Sequence, residues 1–182
     1  MAGKKKTIDF EEAREQVAKV CRRLALLHLA FTQTLEDEFG SEKAKLLTLK
    51  AIKNYGQMIG DEIKAKVSVE GLENTPENYK EDLPKFGMHD RWETVEVDGE
   101  KRIRMYGCVM GQVWKKLGAD KPGRLYCYID PAKYMAYNPD YKLIHTKAMT
   151  DGDEYCEFAI RPTTDQEKKD FARNRDWTYL DK

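Results

Sequence analysis

The chain has 182 residues, and its 32 Lys and Arg residues balance 32 Asp and Glu residues. A net charge of zero gives no basic patch, so we expect no nucleic-acid partner. No apolar run is long enough to span a membrane, and no signal-peptide core follows the lysines at 4–6, which we take for a solvated tail. We therefore expect a cytoplasmic protein with no membrane partner, in which the four cysteines are free thiols, metal ligands or a nucleophile.

The first third of the chain predicts two long helices. Over residues 7–40, apolar side chains recur at spacings of three and four as a single stripe. The stripe consists of Phe10, Ala13, Val17, Val20, Leu24, Leu27, Phe31 and Leu35. Asp9 is the predicted N-cap, with Glu12 completing a capping box, and Ser41 is the predicted cap of a second helix that ends near Val67. The short junction at Gly40 predicts an antiparallel helical hairpin over residues 1–67, which could line a pocket or form a homo-oligomer interface.

The middle of the chain predicts loops and a β-hairpin. Residues 68–90 are expected to be mostly loop, with one helical turn at Thr75-Pro76-Glu77. The segment 85–92 mixes Gly, His, Asp and aromatic residues, which suits either a loop folded over a site or an anchored surface loop. Asp98-Gly99 joins two alternating runs, and a tight primed turn there predicts a hairpin over 92–106.

The remaining elements follow from turn and cap signals. We predict a helix over 109–118, a loop at 121–123, and a helix that starts between 124 and 127 and ends before Asn138-Pro139. Strands at 142–149 and 154–160, joined through 151–153, form a second hairpin with Cys156, Phe158 and Ile160 on one face. Thr164 and Glu167 predict a capped terminal helix, behind which Trp177 and Tyr179 dock.

This order predicts an α+β fold: an N-terminal antiparallel helical hairpin packed with a small antiparallel sheet made of β-hairpins and short helices. The hairpin (1–67) and the α+β portion (68–182) are expected to form one integrated domain.

Candidate chemistry centres on three cysteines, because the dinucleotide, P-loop, zinc-protease and nucleophile-elbow motifs and a CxxC pair are missing. Cys127 and Asp130 share one face if the segment is helical. A neighbouring carboxylate raises the pKa of a thiol, so a nucleophilic Cys127 would need a helix N-terminus or a cation, with Arg124 or His89 as candidates.

Two alternatives to a nucleophilic thiol stay open. Cys108, Cys127 and Cys156 with a histidine could bind zinc, although separations of 19 and 29 positions match no common zinc pattern. The cysteines could equally be small core residues, and Cys156 fits that interpretation best.

Residues 124–161 resemble the L-2-amino-thiazoline-4-carboxylic acid hydrolase family. The matching features are Cys127, Asp130, the Asn138-Pro139 step, Gly152-Asp153, and Cys156 followed by Phe158. The helical hairpin with its break at Gly40 also resembles the N-terminal half of that family. The ending Gly-Asp-x-x-Cys-x-Phe is similar to 4-vinyl reductase-like domains as well, which bind small ligands.

The resemblance implies a hydrolase that opens a C–N bond of a small cyclic amidine or thiazoline carboxylate, the family reaction giving S-carbamoyl-cysteine. It places Cys127, Asp130 and Cys156 in or near a pocket. Asp130 would hold the proton of the amidine nitrogen, and either Cys127 or a water activated by His89 would attack. No cofactor is expected, with zinc as the alternative. The alternative functions are a non-catalytic small-molecule-binding domain and a structural zinc protein.

The expected pocket has two sets of residues. The catalytic set is Cys127, Asp130 and His89. The substrate-binding set is Cys108, Tyr126, Tyr134, Asn138, His145 and Cys156, with Tyr128 and Tyr137 as further aromatic walls.

Overall fold

The computed structural model describes residues 7–80, 82–173 and 177–181. The lysines at 4–6 lie outside the described residues. The α-helices are α1 (Phe10–Phe39), α2 (Ser41–Val69), α3 (Val109–Lys116), α4 (Asp120–Cys127), α5 (Ile129–Tyr137) and α6 (Asp165–Ala172). The strands are β1 (Arg91–Val97), β2 (Glu100–Tyr106), β3 (Tyr141–Lys147) and β4 (Cys156–Pro162). Short 3₁₀ turns occur at Pro76–Asn78, Met149–Asp151 and Thr178–Leu180. The predicted α+β class with N-terminal helices and an antiparallel sheet is confirmed.

The cap of α1 was predicted correctly, and the cap of α2 was not. The Asp9 carboxylate accepts hydrogen bonds from the N–H groups of Glu11 and Glu12. Gly40, instead of Ser41, is the N-cap of α2, and its carbonyl accepts the N–H of Ala44. Ser41 is already the first residue of the helix, because the chain turns at the preceding glycine.

The buried face of α1 differs from the predicted stripe. Its buried residues are Ala18, Cys21, Ala25, His28, Leu29 and Thr32. Five stripe residues are exposed instead: Phe10, Val20, Leu24, Leu27 and Phe31. The small side chains at 18, 21 and 25 let α3 approach closely, so that Trp114 donates its indole N–H to the Ala25 carbonyl at 3.1 Å.

The sheet has the strand order β1-β2-β4-β3, and every neighbouring pair is antiparallel. The first hairpin was predicted correctly: Asp98 and Gly99 both have positive φ, at 53° and 77°, as a type I′ turn requires. The second hairpin also forms, with the 3₁₀ turn Met149–Asp151 in its connection. Alternation in β4 is weaker than expected, because Cys156, Glu157, Phe158 and Ala159 are all buried. The start of β4 is therefore covered on both faces.

The predicted loop at 121–123 was wrong, because these residues lie inside α4. Pro122 occupies the first turn, where a missing N–H breaks no helical hydrogen bond. The predicted single helix over 124–137 is two helices that meet at Tyr128, and its end before Asn138-Pro139 was correct.

Helix α5 is the buried centre of the fold. Gly56 and Gly60 of α2 face it, and a Cβ added at Gly56 would lie 2.6 Å from the Ala132 Cβ. On another side, Ala132 and Met135 pack with Phe171, Trp177 and Leu180. Trp177 docks as predicted, whereas Tyr179 stays partly exposed and donates its hydroxyl to Asp170. Helix α2, β3 and the segment 177–181 thus fix the position of α5.

Candidate active site

Asp130 lies at the second residue of α5, in the centre of a charged cluster. Its carboxylate is 3.1 Å from the Lys133 ammonium and 3.5 Å from Nε2 of His145. The helical i,i+3 spacing places Lys133 on the same face. The Asp130 side chain is 17% exposed, while those of Lys133 and His145 are almost fully buried. Asp130 is therefore the member of this trio that small molecules can reach.

His145, on β3, is held by a second carboxylate. One oxygen of Asp181 accepts the His145 backbone N–H at 2.8 Å and its Nδ1 at 2.9 Å. Burial alone would raise the pKa of Asp181, but the bond from His145 and the charge of Arg124 lower it. The Asp181 carboxylate is thus ionised and only accepts, so Nδ1 carries the proton and Nε2 faces Asp130.

Three further ion pairs close the cluster, and Arg124 makes two of them. Arg124 donates from Nη2 to Asp181 at 2.5 Å and from Nε to Asp151 at 2.9 Å. Among the described residues its buried Nη1 has no hydrogen-bond partner. Lys133 also contacts Asp82 at 3.0 Å. Burial lowers the pKa of Lys133, but the charges of Asp130 and Asp82 raise it by more. The pKa is therefore above its ordinary value, and the side chain remains an ammonium.

The three cysteines of the second half gather beside the turn Met149–Asp151. Cys127, which ends α4, has its Sγ 4.0 Å from the Thr150 hydroxyl, and Cys156 accepts the Met149 N–H at 3.5 Å. Cys108 accepts the Gly111 N–H at 3.5 Å, and Gly111 lies against Met149.

All three thiols are expected to be protonated near neutral pH. Burial raises the pKa of Cys127 well above its ordinary value, with Arg124 opposing and Asp130 adding to the rise. The same cause raises the pKa of Cys156 to about 12 and raises that of Cys108. A metal could bind only to suitably grouped ligands, and the described residues contain no group of three or more His, Cys, Asp or Glu side chains arranged for one.

The predicted aromatic residues divide between two places. Tyr126 packs between His28 and Trp114 at ring distances of 5.4 and 5.8 Å, and the pKa of its hydroxyl is raised by burial and by Tyr55 and Asp130. Tyr134 is buried and stacks on Tyr79 at 4.5 Å. Burial raises the pKa of Tyr79 and Asp130 adds to the rise, so Tyr126 and the Tyr79–Tyr134 stack both lie within electrostatic reach of Asp130.

Asn138 and His89 lie apart from the cluster. Asn138 donates to the Asn74 carbonyl at 2.6 Å in a cleft of about 250 Å³. His89 lines a different cleft of about 330 Å³, with Phe10, Arg14 and Trp92. Over the described ranges no hydrogen bond or ion pair joins His89 to Asp130 or Cys127. The structure thus groups Asp130 and His145 with the cysteines and does not bring His89 to them.

Sequence reasoning missed Asp181, Lys133 and Asp82, and treated Arg124 only as a helper of Cys127. Lys133 had a local signal, because it follows Asp130 by three residues in a predicted helix. Asp181 is 36 residues from His145 and Asp82 is 51 residues from Lys133, so no local spacing could reveal them.

Fold and site together define an α+β protein with a buried histidine held between two aspartates. The family model of L-2-amino-thiazoline-4-carboxylic acid hydrolase matches residues 18–160, and the chain belongs to that family. The predicted resemblance is therefore confirmed. No curated protein and no solved structure matches the chain. None of the helices in the described residues is long and apolar enough to cross a membrane.

Proposed function

We propose that this protein is a hydrolase that opens the ring C–N bond of a small cyclic amidine, with a thiazoline carboxylate as the preferred substrate class. The observation that carries the proposal is the Asp130 carboxylate, reachable from solvent and held between Lys133 and Nε2 of His145. Membership of the hydrolase family supports the substrate class.

The proposed chemistry is general acid–base catalysis at Asp130. A cyclic amidine carbon becomes electrophilic when its nitrogen is protonated. Water attacks this carbon while Asp130 accepts one of the water's protons, with Nε2 of His145 beside it to share the proton. The ring C–N bond then breaks, and the proton passes to the departing nitrogen as a free amine forms. One water is consumed, and the sulfur stays bonded to the attacked carbon.

The buried environment of Cys127 favours the acid–base route over attack by the thiol. Nucleophilic catalysis requires a thiolate, and burial raises the pKa of Cys127 away from neutrality. Cys127 therefore serves better as an uncharged wall beside Asp130 than as the attacking group.

Arg124 is the proposed anchor for the substrate carboxylate. Two of its guanidinium nitrogens are already bound to Asp181 and Asp151, and Nη1 is left without a partner in the described part of the chain. Its positive charge also acts on Cys127, and this closeness supports its proposed role beside the pocket. A carboxylate is the natural acceptor for an unpaired guanidinium N–H.

The test is turnover of 2-aminothiazoline-4-carboxylate, followed by mass spectrometry for the addition of one water. Asp130→Asn and His145→Gln should each lower kcat by roughly 100-fold or more, the usual contribution of a positioned acid or base. Asp140→Asn, at an exposed aspartate after α5, is the matched control and should leave kcat unchanged.

Full turnover by Asp130→Asn would remove the acid–base proposal. Loss of turnover in Cys127→Ala with Asp130→Asn still active would restore the thiol nucleophile. If the wild type binds cyclic amidines in calorimetry and turns none over, the protein is the non-catalytic binding domain.

A further inference from the structure

Helix α1 presents a continuous apolar row to solvent, which we call the α1 seam: Val20, Leu24, Leu27 and Phe31. Their exposed fractions are 58%, 36%, 53% and 64%. The seam lies away from the face that packs on α3 and α4, where Ala25 and His28 are buried. The described part of the chain therefore leaves these four members of the predicted stripe uncovered.

The spacing along the seam is that of a helix–helix interface. Its members follow each other at intervals of four, three and four residues, the a/d repeat of two helices packed side by side. Towards the N-terminus the same repeat reaches Val17, where Gly87 lies close against the helix, and Phe10, whose ring meets Phe86 at 5.2 Å. The described part of the chain half-buries Val17, whereas Phe10 and the row from Val20 onwards stay exposed.

The area of the seam matches that of the largest apolar patch on a typical monomer, and such patches are often functional. Four half-exposed large side chains in one row give a contiguous apolar patch of roughly 300 Å², a size that marks interaction sites when it is rimmed by polar residues. Helix α1 has 30 residues and is about 45 Å long. The open seam from Val20 to Phe31 is about 18 Å long, and a two-fold contact places it against the same length of the other copy.

Charges beside the seam indicate what covers it. Lys19 and Arg23 lie beside its N-terminal half, and Asp37 and Glu38 lie beyond its C-terminal end. All four are exposed, and no ion pair engages them within the described ranges. A parallel pair of α1 helices would place like charges side by side. An antiparallel pair instead sets the acidic residues at 36–38 of one helix beside the mixed-charge first turns of the other, where Arg14 and Lys19 accompany three glutamates.

We propose that the α1 seam binds a second copy of this chain in a two-fold symmetric, antiparallel dimer. In the register that keeps apolar residues in contact, Leu24 faces Leu27 of the other copy and Phe31 faces Val20. The same surface serves both copies, so the contact closes on itself and forms a dimer instead of a filament.

Sedimentation equilibrium of the full chain tests the dimer. The wild type should show a mass of about twice 21.2 kDa, and Leu27→Glu should halve it while its circular dichroism stays unchanged. Leu117→Glu is the matched control, since Leu117 is 55% exposed at the end of α3, and it should leave the dimer intact. A monomeric wild type, or a Leu27→Glu protein that remains dimeric, overturns the proposal.

Carbodiimide cross-linking of the native protein tests the orientation. Within one straight helix Lys19 and Asp37 are about 27 Å apart, so a zero-length amide bond between Lys19 and Asp37 or Glu38 must join two copies. These cross-links are expected in the dimer and lost in Leu27→Glu. A dimer that gives none of them overturns the antiparallel arrangement.

Discussion

Arg124 stabilises the fold and is also the proposed anchor for the substrate carboxylate. Its Nη2 and Nε hold Asp181 and Asp151, and through Asp181 it stabilises the ring position of His145. Its remaining nitrogen, Nη1, lies buried without a partner among the described residues. A buried unpaired donor costs about 1–3 kcal/mol, and a bound carboxylate would remove that cost.

Replacing Arg124 with Lys should therefore separate two effects. A lysine can keep one ion pair with Asp181, but it lacks the fork that leaves a third nitrogen for the substrate. We expect kcat/KM for 2-aminothiazoline-4-carboxylate to fall roughly tenfold to a hundredfold more than kcat/KM for 2-aminothiazoline, which lacks the carboxylate. Equal losses on both substrates would mean that Arg124 acts only through Asp181.

At the scale of elements, the contact between α2 and α5 decides where Asp130 and Lys133 lie. A Cβ at Gly60 would press on the Lys133 carbonyl and lie 2.7 Å from the Ala136 Cβ. In an open helix, Gly→Ala usually stabilises by about 1 kcal/mol. Here the backbone of α5 occupies the space, so α5 would have to shift.

Gly60→Ala should accordingly lower the free energy of unfolding, by roughly 1–3 kcal/mol, and reduce turnover as Asp130 moves. Urea unfolding and kcat are the two measurements. Gly111→Ala is the control, because its added Cβ would meet neighbours only at 3.7 Å, and it should be neutral or stabilising. A stabilised Gly60→Ala protein would contradict the close contact.

The sheet contributes its own pH dependence through Glu157 of β4. Burial alone would raise the pKa of this carboxyl, but hydrogen bonds from Arg104, Thr146 and Arg102 lower it to about 2 from an ordinary value of 4.5. As the pH falls below 4.5, Glu157 becomes protonated in the unfolded chain while it stays ionised in the folded chain. Glu157 therefore stabilises the fold at higher pH, and this stabilisation is lost as the pH falls towards 2.

Glu157→Gln should flatten the stability curve over that acidic range, measured by denaturant unfolding at a series of pH values. The mutant should also be less stable at neutral pH, because Arg102 and Arg104 lose their buried acceptor. Glu96→Gln, at an exposed glutamate of β1, should keep the wild-type slope. An unchanged slope in Glu157→Gln would show that other carboxyls govern the acid limb.

At the scale of the whole molecule, residues 177–181 connect stability to the site. Leu180 is fully buried against Phe171, Trp177 and α5, and Asp181 follows it directly. Leu180→Ala should cost about 2–5 kcal/mol of stability. Its turnover should also fall at temperatures where the rest of the fold persists, as Asp181 leaves His145. Leu117→Ala, at an exposed leucine, should change neither property.

The sequence predicted elements whose signals are local and missed relations that depend on distant parts of the chain. The Asp98-Gly99 turn and the Thr164 capping box were predicted correctly because a few adjacent residues determine each of them. The buried face of α1 was not predicted correctly, because it depends on where Trp114 packs, and Trp114 follows Ala25 by 89 residues. An apolar stripe predicts that a segment is helical, but it does not show whether the stripe is buried by the rest of the same chain.

The candidate site divides in the same way. Asp130 and the cysteines could be selected from their residue types and from the resemblance, and His145 as a substrate-side residue. The partner of His145 could not be predicted, because Asp181 reaches the histidine only when β3, β4 and α6 have packed. His89 was selected only because histidine is a common general base. Its residue type carried no information about its position, and Cys127 and Asp130 lie elsewhere in the fold.

The bond between His145 and Asp181 also has a consequence for synthesis. A ribosome that has just added His145 must add 36 more residues before the carboxylate that orients the ring exists. Until then Arg124 lacks one of its two acceptors and α5 lacks the packing of Trp177 and Leu180. The nascent chain thus lacks the arrangement of Asp130, His145 and Asp181 on which the proposed activity depends, and protease cleavage between α6 and Trp177 would remove that arrangement from a folded molecule.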